Sequence, residues 1–515
     1  MGPLEDIEKL LWDVLVVGAG PAGLTFVLEL NRLRPELKIL VVEFGRKEES
    51  GVNELDESVE VLTPVNHHDP YDCTNKGMGG TSATWGGRCV SYDEIDFLPR
   101  AAVKEGCTWN SSVFEEVKKF YPRAAMYLDC GNPIFQLDRT SGRHRRIAER
   151  FVEGDWTDST LERWSLPTRF GKKYGERVRT LENVTVLEGV CADVIAPVPS
   201  GQKVRLIERS TDEAIEVCAA RVVLSAGTQE STRILLRSSS VFAGRGGTPH
   251  SLGKYYQGHI SGKIASIKFS GNPKSTDFGF IRDKDGVYLR RRLQLSMAAL
   301  LRENLLNTAL WLDNPLYFDP SHRSGTMSFM YLMMISPVLG RKLAPPAIRN
   351  SVTGGQVSAL ADHIHNIARD LPRSVYEPFR IFAGRYLPRR KLPGVFLYSQ
   401  NNEYALHFHA EQQPVESNNM SIGPDGKTLV ISYGYTDDDI ESIVRTHASL
   451  DSWLRTTGAG ELKYWYPENE LRSRIREGSS DGIHQNGTIR MSMNPDIGVV
   501  DANLRVWGTE NLFVC

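Results

Sequence analysis

The sequence predicts two folded units: an α/β unit with a Rossmann-like parallel sheet and an α+β unit built on a second β-sheet. Three observations support this prediction. An apolar strand, a glycine-rich turn and an amphipathic helix follow one another near the N-terminus. Short strand-like segments follow between residues 183 and 225, and a later region of alternating strands ends in an amphipathic helix. The 515 residues also exceed what one hydrophobic core usually supports.

The composition is that of an ordinary globular protein whose partners are small molecules. Apolar residues make up 41%, charged residues 24%, and a formal charge of −2 provides no field that would attract nucleic acid. The seven cysteines are scattered and form no CxxC pair, which argues against disulfides or a structural zinc site. The N-terminal residues lack the pattern of a secretory signal, so we expect a cytoplasmic protein.

The first strand, helix and second strand can be placed from their residue patterns. Val14 to Val17 form a continuous apolar run, which predicts a central parallel strand buried on both faces. The segment "AGLTFVLELNRL" has helical spacing and should end before Pro35, and Lys38 to Glu43 reads as the second strand. This order is that of a βαβ unit.

The turn "GAGPAG" between the first strand and the helix predicts a dinucleotide site. Gly18 allows the sharp turn, Gly20 lets a pyrophosphate touch the backbone, and Gly23 lets helix and strand pack closely. Glu43 ends the second strand, where it can accept hydrogen bonds from ribose hydroxyls. FAD and NAD both bind such a turn through their adenosine diphosphate part. No second complete glycine motif follows in the sequence, so one cofactor is expected.

Two further regions belong to the predicted first unit. Tyr71 to Cys89 holds five glycines, which indicates backbone that another group approaches closely. The segments "NVTVLEG", "KVRLIER" and "EVCAARVVLSAG" predict a β-meander, and Arg221 to Ser225 should pair beside the first strand.

Residues 263–477 form the predicted substrate domain, with an amphipathic helix from Asp437 to Arg455. Met327 to Gly340 is strongly apolar, but it is too short to span a bilayer and contains Pro337. We predict a buried strand or helix there, with an exposed lid or a docking surface as the alternative.

His407, His409 and Glu411 alternate along the sequence, so a strand would place them on one face. Three interpretations compete: a polar face that binds substrate, a metal site that would need further ligands, and a solvated surface. His484 in "DGIHQNGTIRM" is likewise either a packed histidine or a catalytic base. No metal site is predicted.

Four segments together resemble the glucose-methanol-choline (GMC) family of flavin-dependent oxidoreductases: "VVGAGPAG", "GMGGTSATWGGRC", "LSAGTQESTRILLRS" and "HQNGTIRM" followed by "GVVDANLRVWGTENLFV". The resemblance implies FAD, with His484 near the reactive face of the flavin and residues 77–89 alongside it. It divides the chain into an FAD-binding domain at 1–262, a substrate-binding domain at 263–477, and a return to the first domain at 478–515. Besides the glycine turn and Glu43, the implied cofactor contacts are Gly79, Gly80, Thr81, Ser82, Trp85, Gly86, Gly87, Ala226 and Gly227.

The sequence departs from the family pattern at several points. Thr84 stands where members with covalent FAD have a histidine, so noncovalent FAD is expected. Gln485 and Ile489 replace a usual proline and cysteine, and neither change removes a proton-transfer group. In the family, the strand "ENLFVC" continues into a segment that supplies a second histidine or asparagine, so we expect a truncated sequence or a piece supplied by another chain.

The resemblance favours a catalytic His484, which would accept the hydroxyl proton while flavin N5 takes a hydride. It also favours His407, His409 and Glu411 as substrate-binding residues. We expect Arg490 to pin the turn, stabilise an alkoxide or form a local salt bridge.

The function predicted from this resemblance is oxidation of a hydroxyl group on a sugar, glycoside or polyol, with oxygen or another electron acceptor. A flavoprotein monooxygenase reduced by NAD(P)H and a non-catalytic flavin-binding or scaffold protein remain as alternatives. His259 is interpreted as structural, and His67 and His68 as surface residues.

Overall fold

The computed structural model describes residues 7–46, 59–106, 108–109, 111–137, 146–165, 168–336, 338, 359–387, 392–394, 396–397 and 399–515. Its strands, in chain order, are Leu11–Val17 (β1), Ile39–Glu43 (β2), Val59–Val61 (β3), Arg88–Cys89 (β4), Trp156–Trp164 (β5), Val184–Glu188 (β6), Val190–Val198 (β7), Gly201–Glu208 (β8), Ala214–Leu224 (β9), Ile260–Phe269 (β10), Ile281–Arg282 (β11), Tyr288–Leu295 (β12), Thr308–Asp313 (β13), Glu403–Ala410 (β14), Asn419–Ile422 (β15), Leu429–Ser432 (β16), Gly460–Tyr464 (β17) and Leu512–Val514 (β18).

The α-helices of the described residues are Pro21–Leu33 (α1), Pro70–Cys73 (α2), Ser111–Leu128 (α3), Glu176–Arg179 (α4), Gly227–Arg237 (α5), Met297–Glu303 (α6), Gly325–Ile335 (α7), Leu360–Arg369 (α8), Leu371–Tyr386 (α9), Asp437–Thr457 (α10) and Leu471–Gly478 (α11). Helix α10 confirms the predicted start at Asp437, where the Thr436 side chain caps it in a capping box with Asp439.

The first sheet has the predicted parallel centre. Strand β1 pairs in parallel with β2, with Val14 opposite Ile39, and with β9, with Val16 opposite Val223. Its residues from Val14 onward are buried, as expected for a strand covered on both faces. The predicted βαβ unit and the pairing of residues 221–224 beside the first strand are therefore confirmed.

The predicted meander is correct for β7, β8 and β9, which pair antiparallel in sequence. It is wrong for the segment "NVTVLEG", because β6 instead pairs in parallel with β2 at the opposite edge of the sheet. The parallel register matches Val41 with Val186, so both strands contribute apolar side chains to the same layer.

The second sheet is antiparallel at each described pairing and follows the order β17-β10-β14-β13-β12-β5-β4, with β11 beside β12. Its buried face packs against α10 and α11 in an apolar cluster that includes Leu310, Phe408 and Ile443. A small sheet of β15, β16 and β3 adjoins it. Strand alternation leaves the opposite face of β14 to His407 and His409.

The two sheets exchange segments across the predicted domain borders. Strands β4 and β5 come from the predicted FAD-binding range 1–262, yet they pair in the second sheet, while β18 of range 478–515 pairs with β9 in the first. The division at 262 and 477 stays a prediction, and these strands show how closely the two units are joined.

The apolar segment from Met327 onward forms part of α7, so the prediction of a strand or helix is confirmed as a helix. Its first turns are buried and its last turn, Leu332–Ile335, is half-buried. Pro337 and residues 339–340 lie outside the described residues. Among the helices that the structure describes, none combines the length and the apolar composition needed to cross a bilayer.

Candidate active site

The glycine turn after β1 brings three backbone segments together. Gly18 has φ of 98°, and a Cβ there would lie 2.7 Å from the carbonyl oxygen of Ser225. A Cβ on Gly23 would lie 2.1 Å from the oxygen of Gly18, so neither position accepts a side chain. A Cβ on Gly20 would meet only the Ser225 oxygen, at 4.0 Å. Open space therefore remains beside Gly20, where a dinucleotide phosphate is predicted.

Glu43 lies buried at the end of β2 and joins this turn to the glycine-rich segment. Its carboxylate accepts hydrogen bonds from the backbone N–H groups of Ala19 at 2.7 Å, Gly45 at 3.0 Å and Gly77 at 2.7 Å. Oε2 accepts only the bond from Ala19 among these, so it retains capacity for a ribose hydroxyl. The ribose contact itself stays a prediction.

The glycine-rich segment packs directly on the turn. Gly79 has φ of 94°, and a Cβ there would lie 2.2 Å from the Gly171 nitrogen. A Cβ on Gly80 would lie 3.1 Å from the Cα of Gly20. The structure therefore places this segment beside the predicted phosphate site, and its position alongside the flavin stays a prediction.

Several predicted cofactor contacts in this segment have a structural task. The Ser82 hydroxyl donates to the Gly79 carbonyl at 2.6 Å and accepts from the Phe170 N–H at 3.0 Å. Trp85 donates its indole N–H to the Thr168 carbonyl at 2.9 Å. Thr81 accepts a hydrogen bond from the Asn75 N–H, Thr84 accepts one from the Asn75 side chain, Gly86 has open space beside it, and Gly87 has φ of 78°.

Ala226 and Gly227 begin α5, directly after the central strand β9. Gly227 has φ of 74° with open space where a Cβ would lie. One residue further on, the Thr228 hydroxyl donates to the Gln485 carbonyl at 2.6 Å, and the Gln229 side chain donates to the Gln485 side chain at 3.0 Å. The start of α5 therefore holds the turn that carries His484.

The His484 turn is built from unusual backbone conformations. Gly482 and Ile483 have φ of 68° and 63°, and the buried Asp481 carboxylate accepts the Ile483 N–H at 3.1 Å. The His484 side chain is exposed and lies beside the partly buried rings of His259 and His409. Desolvation by the surrounding protein, followed by the nearby positive charge of Arg88, lowers the pKa of His484, so the ring is neutral near pH 7.

Three imidazoles converge at this point. The ring centroids of His259 and His409 lie 3.9 Å apart, and that of His484 lies 5.0 Å from the first and 5.6 Å from the second. Nδ1 of His259 and both ring nitrogens of His409 are buried without a hydrogen-bond partner in the described chain. Burial lowers the pKa of His259 to about 4 and that of His409 well below its usual value.

This cluster changes the interpretation of His259, which the sequence suggested to be only structural. One nitrogen from each of the three rings lies within 4.8 Å of the others, a spacing that could also hold a metal ion. The positive charge of Arg88 acts on all three rings and opposes a cation there. Uncharged nitrogens facing one another are suited to exchange hydrogen bonds with hydroxyl groups.

His407 and His409 lie on the same face of β14, as predicted. The His407 ring stacks on Trp311 with centroids 4.3 Å apart, and its Nε2 lies 2.9 Å from the Ser261 hydroxyl oxygen. Burial lowers the pKa of His407 to about 3. The centroid of the His409 ring lies 5.9 Å from that of the same indole, so Trp311 lies beside both histidine rings.

Glu411 follows β14 and lies beyond the histidines. Arg100 contacts both of its carboxylate oxygens, and the Asn307 N–H donates to Oε2 at 2.9 Å. These bonds tie the loop that carries Arg100 to the sheet. A contact of Glu411 with substrate stays a prediction.

The expectation that His67 is a surface residue is wrong. The His67 side chain is fully buried, and its Nε2 lies 2.7 Å from the Tyr256 hydroxyl. His68 is half-buried and pairs with Asp481. Arg490 lies over the Tyr255 ring at 4.0 Å, in agreement with a role in fixing the turn.

Sequence reasoning missed Arg88 and Trp311. Arg88 belongs to the segment "GGRC", but the neighbouring residues do not indicate that its strand pairs with β5 in the second sheet. Trp311 stands on β13 opposite His407, a pairing that depends on the register of distant strands. Neither position carries a local sequence signal.

The first unit fits the adenosine diphosphate part of FAD. Helix α1 begins beside Gly20 without a side chain capping it, so the positive end of its dipole faces the open space. The gaps beside Gly20 and Gly227 flank that helix end and the start of α5. Gly18, Gly23 and Glu43 shape this cradle, and the glycine-rich segment forms its wall.

The comparisons with known proteins agree with this architecture. Residues 416–515 match the sequence model of the GMC oxidoreductase family. The fold is similar to that of pyridoxine 4-oxidase from Mesorbium loti, with a TM-score of 0.51, 16% identity, and coverage of 98% of this chain and 93% of the other. It is also similar to a variant of formate oxidase from Aspergillus oryzae RIB40, with a TM-score of 0.50, 15% identity, and coverage of 98% and 93%.

No curated protein sequence matches the chain significantly, and the identities to solved structures are low enough that these structures support the fold alone. The family model covers residues 416–515, and over that C-terminal range the chain is similar to GMC oxidoreductases.

Proposed function

We propose that this protein oxidises a hydroxyl group of a sugar, glycoside or polyol-like substrate and that His484 accepts the hydroxyl proton. One observation carries the proposal: the turn of His484 is hydrogen-bonded to the start of α5 beside the nucleotide cradle, while its ring lies next to His409 of β14 and to His259 just before β10. His484 thus stands where the two units meet. FAD, when bound, supplies the acceptor for the hydride that leaves the substrate carbon.

The protonation states of the three imidazoles support this assignment. A neutral His484 can take a proton from a hydroxyl, and its lowered pKa keeps it neutral near pH 7. His259 and His409 have buried nitrogens without partners, which a substrate hydroxyl or an ordered water would satisfy. Arg88 nearby favours the alkoxide that forms as the proton leaves.

Noncovalent FAD and a cytoplasmic location complete the proposal. Thr84, at the position of the covalent histidine, has no nucleophilic nitrogen and bonds to Asn75. The six cysteines of the described residues, all except Cys107, are free thiols, in agreement with a reducing compartment. Release of intact FAD by acid or heat denaturation would support noncovalent binding.

The direct test is the variant His484→Ala. It should retain bound flavin and reduce it with a sugar or polyol about 10²- to 10⁴-fold more slowly in anaerobic stopped-flow measurements. The matched control is His250→Ala, because His250 is an exposed histidine that contacts Glu416 on the surface. Unchanged flavin reduction in His484→Ala would remove this residue from the reaction.

The same assay separates the alternatives. Anaerobic bleaching of the flavin by alcohols supports dehydrogenation, whereas bleaching by NADPH alone would favour a monooxygenase. A purified chain that binds no flavin would favour a scaffold protein.

A further inference from the structure

Three arginines gather around one buried glutamate on the polar face of the second sheet. Glu162 of β5 is fully buried, and its Oε2 accepts from Nε and Nη2 of Arg290 at 2.9 and 2.6 Å. Nη2 of Arg88, on β4, lies 2.9 Å from the other carboxylate oxygen. Burial acts to raise the pKa of Glu162, but Arg290 and Arg88 hold it below its usual value, so the carboxylate is charged.

Arg292 is the third member and lies two residues along β12 from Arg290, on the same face. It is 5% exposed, and its Nε and Nη2 atoms are buried without a hydrogen-bond partner. Other charges on this face form their own pairs, Lys263 with Asp313 and Arg100 with Glu411. The arginine cluster therefore carries three positive charges against one negative charge.

Such an excess of buried charge is costly unless a further anion offsets it. Arg88 is the accessible member, with 26% of its side chain exposed and one ion pair, so its remaining N–H groups can bind another group. The cluster thus has both buried Arg292 nitrogens without a hydrogen-bond partner and a partly exposed Arg88 guanidinium.

The arginine cluster lies next to the three imidazoles. The Arg88 and Arg290 guanidinium groups lie 4.5 and 4.7 Å from the centroid of Trp311, whose ring is 5.9 Å from His409. His409 in turn lies 5.6 Å from His484. The Trp311 indole and the His409 imidazole therefore link the excess positive charge to the proposed proton acceptor.

We propose that the substrate carries an anionic oxygen group, a carboxylate or a phosphate, that Arg88 binds with support from Arg292. This inference rests on the proposed function and narrows its substrate class from neutral sugars and polyols to acidic ones. The guanidinium fork fixes the orientation of a planar or tetrahedral oxyanion. Binding it at Arg88 would orient the remaining hydroxyl groups toward His484.

The experiment uses the flavin-loaded protein and matched probes under anaerobic conditions. The probes are glucose, galactose and glycerol, with glucuronate, galacturonate and glycerate as their acids and glucose 6-phosphate, galactose 1-phosphate and glycerol 3-phosphate as their phosphates. We expect at least one anion to reduce the flavin with a kcat/KM about 10- to 100-fold above its neutral counterpart. Preference for the acids or for the phosphates identifies the group.

Arg88→Gln and Arg292→Gln test the site itself. Arg302→Gln is the control, because Arg302 of α6 is exposed and forms a surface ion pair with Asp155. Either site variant should abolish the excess of kcat/KM for the anion over its neutral counterpart, while the control retains it. Arg292→Gln should act mainly through KM, whereas Arg88→Gln should also lower kcat for the neutral probes, because Arg88 favours the alkoxide. Arg292→Gln serves if Arg88→Gln does not fold, because both remove one charge of the same cluster.

Equal reduction by neutral and anionic probes, or an anion preference that survives both site variants, would overturn the inference and leave the proposed function intact. Failure of every probe to reduce the flavin would instead count against the proposed function as well. The two failures are therefore distinguishable.

Discussion

His68 donates a hydrogen bond from Nδ1 to the buried carboxylate of Asp481, three residues before the proposed base His484. The same carboxylate accepts the Ile483 N–H, while the Asp481 N–H donates to the Asn66 carbonyl at 3.0 Å. The segment 66–68 therefore clamps the turn that carries His484.

This pair should make stability depend on pH in a defined window. The bond to Asp481 raises the pKa of His68, so its contribution is lost as pH rises through that raised value. Burial acts to raise the pKa of Asp481, but the bond from His68 leaves it lowered, so its contribution is lost only as pH falls through that lowered value. We expect the pair to stabilise the fold between about pH 4 and pH 6.5.

The measurement compares thermal unfolding of wild type and His68→Gln at about pH 6 and about pH 9. The variant should lose more stability at the lower pH, where the wild-type pair is charged. His250→Gln is the control, since the exposed His250–Glu416 pair clamps no turn. Equal losses at both pH values would show that the ion pair is not what holds the segment.

Substitution by alanine should affect protein stability at only one of two glycines in the same turn. Gly23→Ala places a Cβ 2.1 Å from a backbone oxygen, so it should destabilise the fold by about 1–3 kcal/mol or more. Gly20→Ala meets nothing closer than 4.0 Å, so the flavin-free protein should keep its melting temperature. Bound flavin should nevertheless fall, because the new methyl group occupies the predicted phosphate space.

The readouts are melting temperature of the flavin-free protein and flavin content per chain. Full flavin content in Gly20→Ala would place the phosphates elsewhere. An unaffected melting temperature in Gly23→Ala would contradict the close packing at Gly18.

The local part of this fold could be predicted because its signals are local. The strand and helix around "GAGPAG" follow from apolar runs and glycine placement, and the structure has them as expected. The start of α10 at Asp437 is likewise set by the neighbouring Thr436 cap. Strand β6 was misplaced because a short strand carries no information about which edge it joins.

The site could be predicted only in part, for the same reason. His407 and His409 share a face because strand periodicity dictates it. The approach of His259 to them depends on the antiparallel pairing of β10 with β14, in which Ser261 stands opposite His409. Arg88 reaches the site through β4, whose two residues give no strand pattern at all.

The Asp96 carboxyl should make the free energy of unfolding fall as pH rises toward neutrality. Burial, with the nearby charges of Glu411 and Asp93, raises its pKa to about 7. The folded protein therefore holds this proton where the unfolded chain has lost it, so stability falls as pH rises from about 4 to 7. Asp96→Asn should flatten this slope and raise the melting temperature at about pH 8 relative to wild type.

The control for Asp96→Asn is Glu94→Gln, an exposed carboxylate in the same short helical turn. It should leave the slope of melting temperature against pH unchanged. A slope that persists in Asp96→Asn would show that a group other than Asp96 holds the proton.

Thr228 should control the rate of flavin reduction without touching the substrate. Its hydroxyl donates to the Gln485 carbonyl at 2.6 Å, the peptide next to His484. Thr228→Val keeps the shape but removes this donor, so the turn should loosen and kcat for anaerobic flavin reduction should fall about 10-fold with KM little changed. Thr228→Ser retains the hydroxyl and should restore the rate. If Thr228→Val lowers flavin content instead of kcat, the start of α5 acts on the cofactor and not on the position of His484.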